Sequence, residues 1–562
     1  MRAAETSFLE LLYKSQQFVV PIYQRTYSWA ELECRQLWDD IIRTGENDDI
    51  TSHFVGSIVY IEKGLALINK QTPHLVIDGQ QRLTTVMLLL EALARRVDND
   101  EPMDGFSAEQ IRQYYLINPL EKGDRKYKLI LTQTDRDSLI SLVRQKPLPE
   151  EHSILISRNF AYFRKQIRRL GSDLLPLCKG LAKLVVVGIA LDRNQDNPQL
   201  IFESMNSTGK DLTQADLIRN FVLMGVEQHR QERLYHEYWR PMEKAFGQEG
   251  LSGSFNWFMR HYLTYRTSGI PTVGKVYQAF KRYKTAAGAH DVEALLEEVH
   301  RFAGYYCAME FEKEPDPDLR RAFCDLNEFN VGVYYPWLLG LYDNYREGVL
   351  SKMDFIQIVT WIESYLFRRA VCAIPTNSHN RTFATLGKAL SQGDCNLQSI
   401  KHELLLLETY RPYRRFPEDA EFTQALMHRN LYNFRLRNYW LRKLENYGRK
   451  ETVSVKQYTI EHIMPQNSEL SEEWRKALGP DWEEVHETWL HTLGNLTLTG
   501  YNAEYGDRPF AEKRDMPGGF RDSPLWLNRG LRKQEVWNEG AIRSRASHLA
   551  ERARDVWTIP SL

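Results

Sequence analysis

The chain has 562 residues, which is room for about three domains, and its 43% hydrophobic and 12% aromatic residues are typical of a folded protein. With 73 Lys and Arg against 74 Asp and Glu, the net charge of −1 excludes a globally basic nucleic-acid-binding protein, so any such surface must be local. The six cysteines form no C-x-x-C pair and no 18-residue apolar run occurs, which argues against a disulfide framework, a cysteine zinc site and a membrane span. We therefore expect a soluble protein of the reducing cytoplasm, with no membrane contact.

The first patterned segment is residues 18–29, which read FVVPIYQRTYSW. Phe18–Val20 predicts a short strand, and Ser28 with Glu31 predicts a capping box at the start of the next helix. Arg25 lies among aromatic residues, an arrangement typical of a ligand clamp or of a surface cation–π contact. The segment by itself leaves both alternatives open.

Two further segments predict strands, and the chain between them predicts helices. His53–Glu62 (HFVGSIVYIE) and Lys183–Leu191 (KLVVVGIAL) are rich in β-branched residues, whereas residues 105–170 are mostly helical in pattern. The predicted fold class is α+β multidomain, with a few strands and helices packed around them.

The segment His74–Leu90, HLVIDGQQRLTTVMLLL, predicts a strand, a polar turn and a helix whose apolar residues recur at helical spacing from Leu83. The polar turn consists of Asp78, Gly79, Gln80, Gln81 and Arg82. Backbone N–H groups and the positive end of the helix dipole point into such a turn and suit a phosphate. A ligand-free strand-to-helix turn capped by Asp78 is the alternative.

Residues 202–224, FESMNSTGKDLTQADLIRNFVLM, predict a loop and then a helix capped by Thr213. Gly209-Lys210 is not a P-loop, because no G-x-x-x-x-G-K-[ST] occurs anywhere in the chain. Nucleotide binding, if it occurs, must therefore use another kind of site. Residues 226–425 are helical in pattern and rich in aromatic residues, most of which we expect in the core.

The segment His428–Lys450 interleaves seven Lys and Arg with aromatic residues and has one acid, Glu445. This pattern fits a surface for a nucleic-acid backbone. It fits equally an amphipathic helix that leads into the last domain, and the sequence does not decide between the two.

Residues 458–467, YTIEHIMPQN, predict a short strand that carries Glu461 and His462 side by side. Further on, Asn495 opens a second strand and Asn502 leads into a helix. Phosphodiester hydrolysis needs a base to activate water and a divalent ion to absorb negative charge. His462 is the candidate base, Asn495 would fix the loop bearing His462, and the oxygens of Glu461 and Asn502 suit Mg²⁺ or Mn²⁺. The strand–strand–helix order favours a nuclease over a surface acid–histidine pair.

These motifs resemble the GmrSD family of modification-dependent (type IV) restriction enzymes. E-H-I-x-P-Q, G-N-L-T-L and the downstream Asn resemble the nuclease half, which has an HNH (His-Me finger) ββα-metal fold. PIYQRTYSW, VIDGQQRLTT and FESMNSTGKDLTQADLIR resemble the other half, which has a ParB/sulfiredoxin-like α+β fold and is implied to bind and hydrolyse nucleoside triphosphate. Asn502 stands where many HNH nucleases have His, and Glu461 where many have Asp, so the metal-ligand list is less certain than the base.

The resemblance implies a nucleotide-binding domain at residues 1–225, a helical connecting region at 226–425 and an HNH-type nuclease domain at 426–562. It also implies that the nucleotide site contains Arg25, Trp29, Asp78, Gly79, Gln80, Gln81, Arg82, Asn206 and Lys210.

The implied function is an NTP-dependent or NTP-regulated endonuclease that cleaves phage DNA with modified bases, such as hydroxymethylated or glucosylated cytosine, in bacterial defence. The nucleotide would be ATP or GTP. A homodimer is expected because double-strand cleavage needs two active sites. The alternatives are a nucleotide-gated DNA-binding or regulatory protein without cleavage, and a nuclease that senses backbone phosphorothioate.

Overall fold

The computed structural model describes the whole chain except residues 16, 63–72, 98–100, 193–195, 197, 206–211, 251–252, 287–290, 393–394 and 562. The chain forms two compact units: unit 1 is Met1–Lys244 with His290–Leu296, and unit 2 is Ala245–Ala289 with Glu297–Leu562. None of the described helices is both long enough and apolar enough to cross a membrane.

Unit 1 is built on a mixed sheet that has six strands in the described part of the chain. The strands are β1 (Arg2–Ser7), β2 (Phe18–Val19), β3 (His53–Glu62), β4 (His74–Asp78), β5 (Leu129–Ile130) and β6 (Leu184–Asp192). Their order is β1-β6-β3-β4-β2-β5, and β1–β6 and β3–β4 are the antiparallel pairs. The two long β-branched segments predicted as strands are β3 and β6, which pair in parallel inside the sheet.

Helices cover both faces of this sheet. The helices between residues 1 and 250 are α1 (Phe8–Lys14), α2 (Glu31–Glu46), α3 (Gln80–Ala94), α4 (Ala108–Ile111), α5 (Gln133–Val143), α6 (Ile154–Arg169), α7 (Leu175–Ala182), α8 (Pro198–Met205), α9 (Gln214–Leu223), α10 (Gln228–Leu234) and α11 (Arg240–Gly250), the last of which continues into unit 2. Helix α3 is buried along nearly its whole length, because α2, α6 and one face of the sheet share a core with it. The opposite face of the sheet packs against α8 and α9.

The starts of two helices test the capping predictions. Thr213 caps α9 as predicted, since its hydroxyl oxygen accepts from the Asp216 N–H at 3.1 Å. The capping box predicted at Ser28 is wrong: α2 begins at Glu31, and Glu33 accepts from the Ala30 N–H at 2.8 Å. The reason is that the N–H of Ser28 bonds to a side chain of α3, which keeps residues 28–30 extended.

The rest of the chain is helical with one small hairpin. Its helices are α12 (Ser254–Thr267), α13 (Val276–Ala286), α14 (Val292–Glu310), α15 (Pro317–Asn327), α16 (Tyr335–Arg346), α17 (Lys352–Val371), α18 (His379–Gln392), α19 (Leu397–Leu405), α20 (Leu407–Tyr410), α21 (Asp419–His428), α22 (Arg437–Asn446), α23 (Glu472–Leu478), α24 (Trp482–Trp489), α25 (Asn502–Tyr505), α26 (Phe510–Asp515) and α27 (Glu539–Val556). The hairpin strands are β7 (Thr459–His462) and β8 (Leu496–Thr499). The helical middle region and its aromatic core are confirmed, with Tyr334, Tyr335 and Trp337 all buried.

Because unit 2 contains two buried histidines, we predict that its free energy of unfolding decreases in acid. Burial lowers the pKa of His261 to about 3 and that of His379 to about 4, and Arg260 and Arg369 add repulsion. Since the unfolded chain titrates near the ordinary value of about 6.5, it binds more protons, and stability falls as the pH drops from there towards the folded-state pKa. Each histidine removes about 1.4 kcal/mol of the free energy of unfolding per pH unit over that window.

Urea unfolding at a series of pH values measures this loss directly. His261→Gln should flatten the dependence, whereas the same change at the exposed His548 should leave it as in the wild type. An unaltered pH dependence in His261→Gln would contradict the burial argument.

Candidate functional site

Buried glutamines fix the loop between β2 and α2 against the start of α3. The Gln24 side-chain amide donates to the carbonyl oxygen of Ile77 at 2.9 Å. The Gln80 amide donates to the carbonyl oxygen of Arg25, also at 2.9 Å. Both side-chain amides therefore donate to backbone carbonyl groups. These hydrogen bonds fix the backbone of Arg25 beside the end of β4.

Two further amides hold the next residues of the loop. Gln81 Oε1 accepts from the N–H groups of Ser28 and Trp29, at 2.8 and 3.2 Å. The Asn159 amide of α6 donates to the Trp29 carbonyl oxygen at 2.8 Å and to the Tyr27 hydroxyl at 3.1 Å. The Trp29 ring is partly buried against the core of unit 1. Gln81 and Trp29 thus lie in the structure that supports the loop.

Charged side chains gather where this loop meets α3 and α9. Burial is the largest effect on Arg25 and lowers its pKa, while the nearby carboxylates of Asp216 and Asp78 act in the opposite direction. Arg219 donates to Asp216 at 2.7 Å and to the carbonyl oxygen of Tyr23 at 2.7 Å. The result is a small, partly buried group of cations and carboxylates at the end of β4.

Arg82 joins this group from the first turn of α3. Its Nη1 lies 3.2 Å from the Ser57 carbonyl oxygen and 4.0 Å from Asp78 Oδ2. Gly56 lies at a bulge in β3 with φ of +122°, and a Cβ there would approach within 2.8 Å of the Arg82 guanidinium carbon. Gly79, at φ of +92°, turns the chain from β4 into α3. The missing side chain at Gly56 gives the Arg82 guanidinium its space.

Gly56→Ala is expected to displace Arg82 and to destabilise unit 1. The new methyl group would both clash with the guanidinium and force a non-glycine residue into a left-handed conformation, which costs about 1–3 kcal/mol. Thermal unfolding measures the cost, and nucleotide titration measures the displacement. Gly225→Ala is the control, because nothing lies within 4 Å of a Cβ at that position. Equal behaviour of the two variants would show that the bulge does not constrain Arg82.

Three members of this group, Gly56, Asp216 and Arg219, were not among the residues predicted from the sequence. Asn206 and Lys210 lie outside the described residues. Asp216 and Arg219 were contained in a quoted motif, three positions apart on α9, a spacing at which helical side chains meet. Gly56 had a signal of its own, since a single glycine within a β-branched strand indicates a bulge.

In unit 2, β7 and β8 form an antiparallel pair that carries the second group of predicted residues. Glu461 lies opposite Thr497, and His462 lies opposite Leu496. Because neighbouring strand residues point to opposite faces, the two side chains enter different surroundings.

Asn495 holds the backbone that follows His462. Its side chain is fully buried, accepts from the Met464 N–H at 2.7 Å and donates to the Met464 carbonyl oxygen at 3.0 Å. A second donation reaches the carbonyl oxygen of Leu490 at 2.9 Å. This pair of bonds to the N–H and the carbonyl group of one residue fixes the turn after β7.

His462 is only 4% exposed and lies against His491 and Tyr432. Its Nε2 is 3.0 Å from His491 Nδ1, and the Tyr432 ring packs edge-on against it with centroids 4.5 Å apart. His462 Nδ1 is buried and has no hydrogen-bond partner in the part of the chain that the structure describes. Burial, followed by repulsion from His491, Lys513 and His486, lowers the pKa of His462 to about 3.

The hydrogen-bond network favours one tautomer of His462. If His491 donated to Nε2, Nδ1 of His462 would carry a buried N–H without an acceptor. If Nε2–H donates to His491 Nδ1, the lone Nδ1 is an acceptor, and buried acceptors without a partner are less rare than buried donors. We therefore assign the proton to Nε2, which leaves the Nδ1 lone pair available.

Glu461 enters the other side of the hairpin and meets Lys513 of α26. The ammonium donates to Glu461 Oε1 at 2.6 Å and to the carbonyl oxygens of His462 and Ile463 at 3.2 and 3.3 Å. Burial raises the pKa of Glu461 and lowers that of Lys513, in both cases against the attraction of the partner. The sequence analysis did not predict this role for Lys513, because no local pattern connects it with Glu461.

The two predicted metal ligands, Glu461 and Asn502, both bond to protein groups in this structure. The Asn502 amide donates to the Ile460 carbonyl oxygen at 3.0 Å, which ties α25 to β7 and leaves the amide oxygen to face elsewhere. Within the described residues, no three His, Cys, Asp or Glu side chains cluster to hold a metal. A carboxylate and an amide oxygen, completed by water and a phosphate, are nevertheless a donor set that Mg²⁺ accepts. Lys513 would then share Glu461 with the cation.

The basic segment at 428–450 uses several of its cations inside unit 2. Lys443 lies 2.9 Å from Asp325 and 2.8 Å from Glu363, and Arg449 pairs with Glu445. The aromatic residues of α22 are buried. Helix α22 is amphipathic, as one of the two alternatives predicted, and three of the segment's seven cations, Arg442, Lys443 and Arg449, pair with intramolecular acids. The nucleic-acid surface stays a prediction for the segment's exposed cations Arg435, Arg437 and Lys450.

Two protein-family models match the chain on either side of its middle region. The model of the GmrSD restriction endonuclease N-terminal domain matches residues 8–223, and the model of the GmrSD restriction endonucleases' C-terminal domain matches residues 416–552. The chain belongs to the GmrSD family of restriction endonucleases. A comparison with curated proteins gave no match. In this GmrSD enzyme, the Arg25–Asp78 group lies in the N-terminal match and the His462 group in the C-terminal match.

Proposed function

We propose that this GmrSD enzyme is an NTP-regulated, metal-dependent endonuclease that cleaves DNA carrying modified bases, such as hydroxymethylated or glucosylated cytosine, in bacterial defence. Type IV restriction has this outcome, and the two groups of residues divide its work. Unit 1 would bind nucleoside triphosphate, and the hairpin of unit 2 would cut.

The observation that carries the proposal is the hydrogen bonding of His462. Its Nε2 is paired with His491 and its Nδ1 has no partner among the described residues, which is the arrangement of a general base held in one tautomer. Nδ1 would take a proton from water as the water oxygen bonds to phosphorus and the bond to the leaving oxygen breaks. Asn495 would keep the turn after His462 rigid during this step.

A divalent cation bound by Glu461 and Asn502 would supply charge for the negative oxygens of the scissile phosphate. Lys513, at 2.6 Å from Glu461, would place a second positive charge beside the same group. Glu461 lies on β7, Asn502 begins α25 and Lys513 lies on α26, so these three elements position the groups that would carry and balance the charge. We expect Mg²⁺ or Mn²⁺, because the donors are oxygens.

The nucleotide site proposed in unit 1 uses the N-terminus of α3, a helix of 15 residues. Its free N–H groups and dipole favour phosphate, and Arg25 and Arg82 add guanidinium groups that suit phosphate oxygens. Asp78 and Asp216 would hold the magnesium ion that accompanies a triphosphate. Gln80, Gln81 and Trp29 would act by holding the loop that bears Arg25.

The burial of His462 supports regulation of the cutting step. Its Nδ1 has no accessible surface in this structure, and Tyr432 forms one wall of its surroundings. Water would reach Nδ1 only after that wall moves. A nuclease that is closed until another ligand binds spares DNA that lacks the signal, and this is the advantage of placing both sites in one chain.

The test is cleavage of matched duplexes, one unmodified and the others carrying hydroxymethylcytosine, glucosylated cytosine or phosphorothioate. Each is incubated with Mg²⁺ or with a chelator, and with ATP, GTP or neither. We expect Mg²⁺-dependent cutting of a base-modified duplex that changes with nucleotide. Cutting of the phosphorothioate duplex alone would replace the proposed substrate. Binding of DNA without cutting under every condition would favour a nucleotide-gated regulatory protein. Sedimentation of the same enzyme with DNA tests the expected homodimer.

A further inference from the structure

The outward face of α6 in unit 1 carries five cations and no acid. All five side chains are exposed: Arg158, Arg164, Lys165, Arg168 and Arg169. At 100° per residue they lie within an arc of about 140°, so they form one stripe. The opposite face is apolar and buried in the core of unit 1. No other described helix combines five cations with the absence of acids.

These cations have no ion-pair partner within the described ranges of the chain. Arg164 and Arg168, and likewise Lys165 and Arg169, are like charges four residues apart, a spacing that destabilises a helix. The helix dipole favours cations only in the last turn and therefore does not account for Arg158 or Arg164. The groove beside α6 contains two acids: Glu31 pairs with Arg35 on α2, and Asp39 forms no ion pair with the stripe within the described residues. One remaining carboxylate leaves most of the charge of five cations unbalanced.

Two other groups of cations in the described chain are paired or enclosed. Arg368 on α17 is fully buried and bonds to Asp419, and Arg369 beside it donates to backbone carbonyl groups. Lys443 lies between two carboxylates. The α6 stripe differs, because its positive charge faces solvent in a protein whose net charge is −1.

We propose that the outward face of α6 binds the phosphate backbone of double-stranded DNA. This inference rests on the proposed function only in taking DNA as the substrate. From Arg158 to Arg169 the stripe is about 16 Å long, and duplex DNA carries a negative charge about every 1.7 Å of its axis, so the stripe can neutralise several phosphates. Contacts of this kind supply affinity without reading sequence or modification.

The inner face of the same helix contacts the loop of the nucleotide group. Asn159 donates to the Trp29 carbonyl oxygen and to the Tyr27 hydroxyl, four residues or fewer from Arg25. DNA on the outer face would therefore lie about one helix diameter, roughly 10 Å, from the backbone that positions Arg25. This arrangement places DNA binding next to the nucleotide group within unit 1.

The experiment measures DNA affinity against salt concentration in the full-length His462→Ala protein, so that cleavage does not interfere. The test variant carries Arg164→Gln, Lys165→Gln and Arg168→Gln, and the probe is an unmodified duplex followed by fluorescence anisotropy. The control carries Lys122→Gln, Arg125→Gln and Lys126→Gln, which removes the same charge from exposed positions of the same unit. Thermal unfolding confirms that both variants fold.

We expect the magnitude of the slope of log affinity against log salt to decrease by about 2–3 in the α6 variant, since each phosphate contact contributes about 0.9. The slope of the control should stay that of the His462→Ala protein. At low salt the α6 variant should bind at least tenfold more weakly. An unchanged slope would overturn the proposal. So would an equal loss of affinity in the control, because affinity would then depend on the net charge of the protein and not on the α6 stripe. Stripe-dependent binding to phosphatidylserine vesicles in place of DNA would assign α6 to a membrane surface. None of these results depends on whether the wild-type enzyme cuts.

Discussion

His462→Ala is expected to reduce DNA cleavage by about 10²–10⁴-fold, the usual loss on removing a positioned base, while nucleotide turnover continues. The loss should appear in kcat, because the imidazole acts on the attacking water and makes no large contribution to DNA binding. His548→Ala is the matched control, since His548 is an exposed histidine of the same unit. Cleavage that survives in His462→Ala would require another base.

The partner of His462 gives the same prediction a second test. His491→Asn retains an acceptor for the Nε2–H of His462, whereas His491→Leu removes it and lets the imidazole change tautomer. We expect cleavage to fall in the order wild type, Asn, Leu, with about 10- to 10²-fold loss for Leu, as is usual when the group that orients a histidine is removed. Nitrogen-15 chemical shifts of His462 report the tautomer without any activity, and a proton on Nδ1 would contradict the assignment.

Asp78→Asn and Arg25→Gln are expected to weaken nucleotide binding at least tenfold. Each removes a charge from the partly buried group at the end of β4. Asp78→Asn also preserves the shape of the side chain, so its loss should come from electrostatics, whereas Arg25→Gln additionally removes the guanidinium donors. An ion pair or charged hydrogen bond of this kind contributes about 1.5–3 kcal/mol, which corresponds to tenfold or more. Fluorescent nucleotide titration measures the affinity, and turnover of ATP and GTP measures the activity.

The control for this pair is Arg35→Gln, which removes an exposed arginine of α2 that pairs with Glu31. Metal-dependent cutting by Asp78→Asn should change in its response to nucleotide but remain detectable, because the hairpin of unit 2 is intact. Wild-type affinity in both variants would place the nucleotide away from α3.

The parts of the fold that follow from local pattern were predictable. β3 and β6 are long β-branched segments, and α9 has a hydroxyl cap, so neighbouring residues alone determine them. The start of α2 was not predictable, because the N–H of Ser28 bonds to Gln81, far away in sequence. Its position is a tertiary effect that overrides a good capping sequence.

The residues of the candidate site likewise fall into two groups: those found from a local sequence motif and those placed by tertiary contacts. The motifs containing Asp78 and His462 are contiguous and were found. His491 and Lys513 were missed, because each reaches its partner only when the hairpin and α26 pack together. The charge of His428–Lys450 was ambiguous in sequence, since only the tertiary structure shows that acids such as Glu363 lie within reach of Lys443. The basic stripe of α6 has a local pattern but stands out only once groups such as Arg368–Arg369 and Lys443 are seen to be paired or enclosed.

The buried pair of Glu461 and Lys513 has a consequence for how durable this enzyme can be. Burial opposes both charges. In other proteins, replacing such a buried pair by two apolar side chains of similar size is often neutral or stabilising by about 1–4 kcal/mol. Glu461→Met with Lys513→Met should thus yield a catalytically dead protein that melts no lower, and differential scanning calorimetry checks this. Lys513→Met alone should melt at a lower temperature, because it leaves the buried carboxylate of Glu461 without its charge partner. On the proposed function, the charged pair would serve DNA cleavage rather than stability, and the apolar double variant would provide an inactive form for trapping DNA.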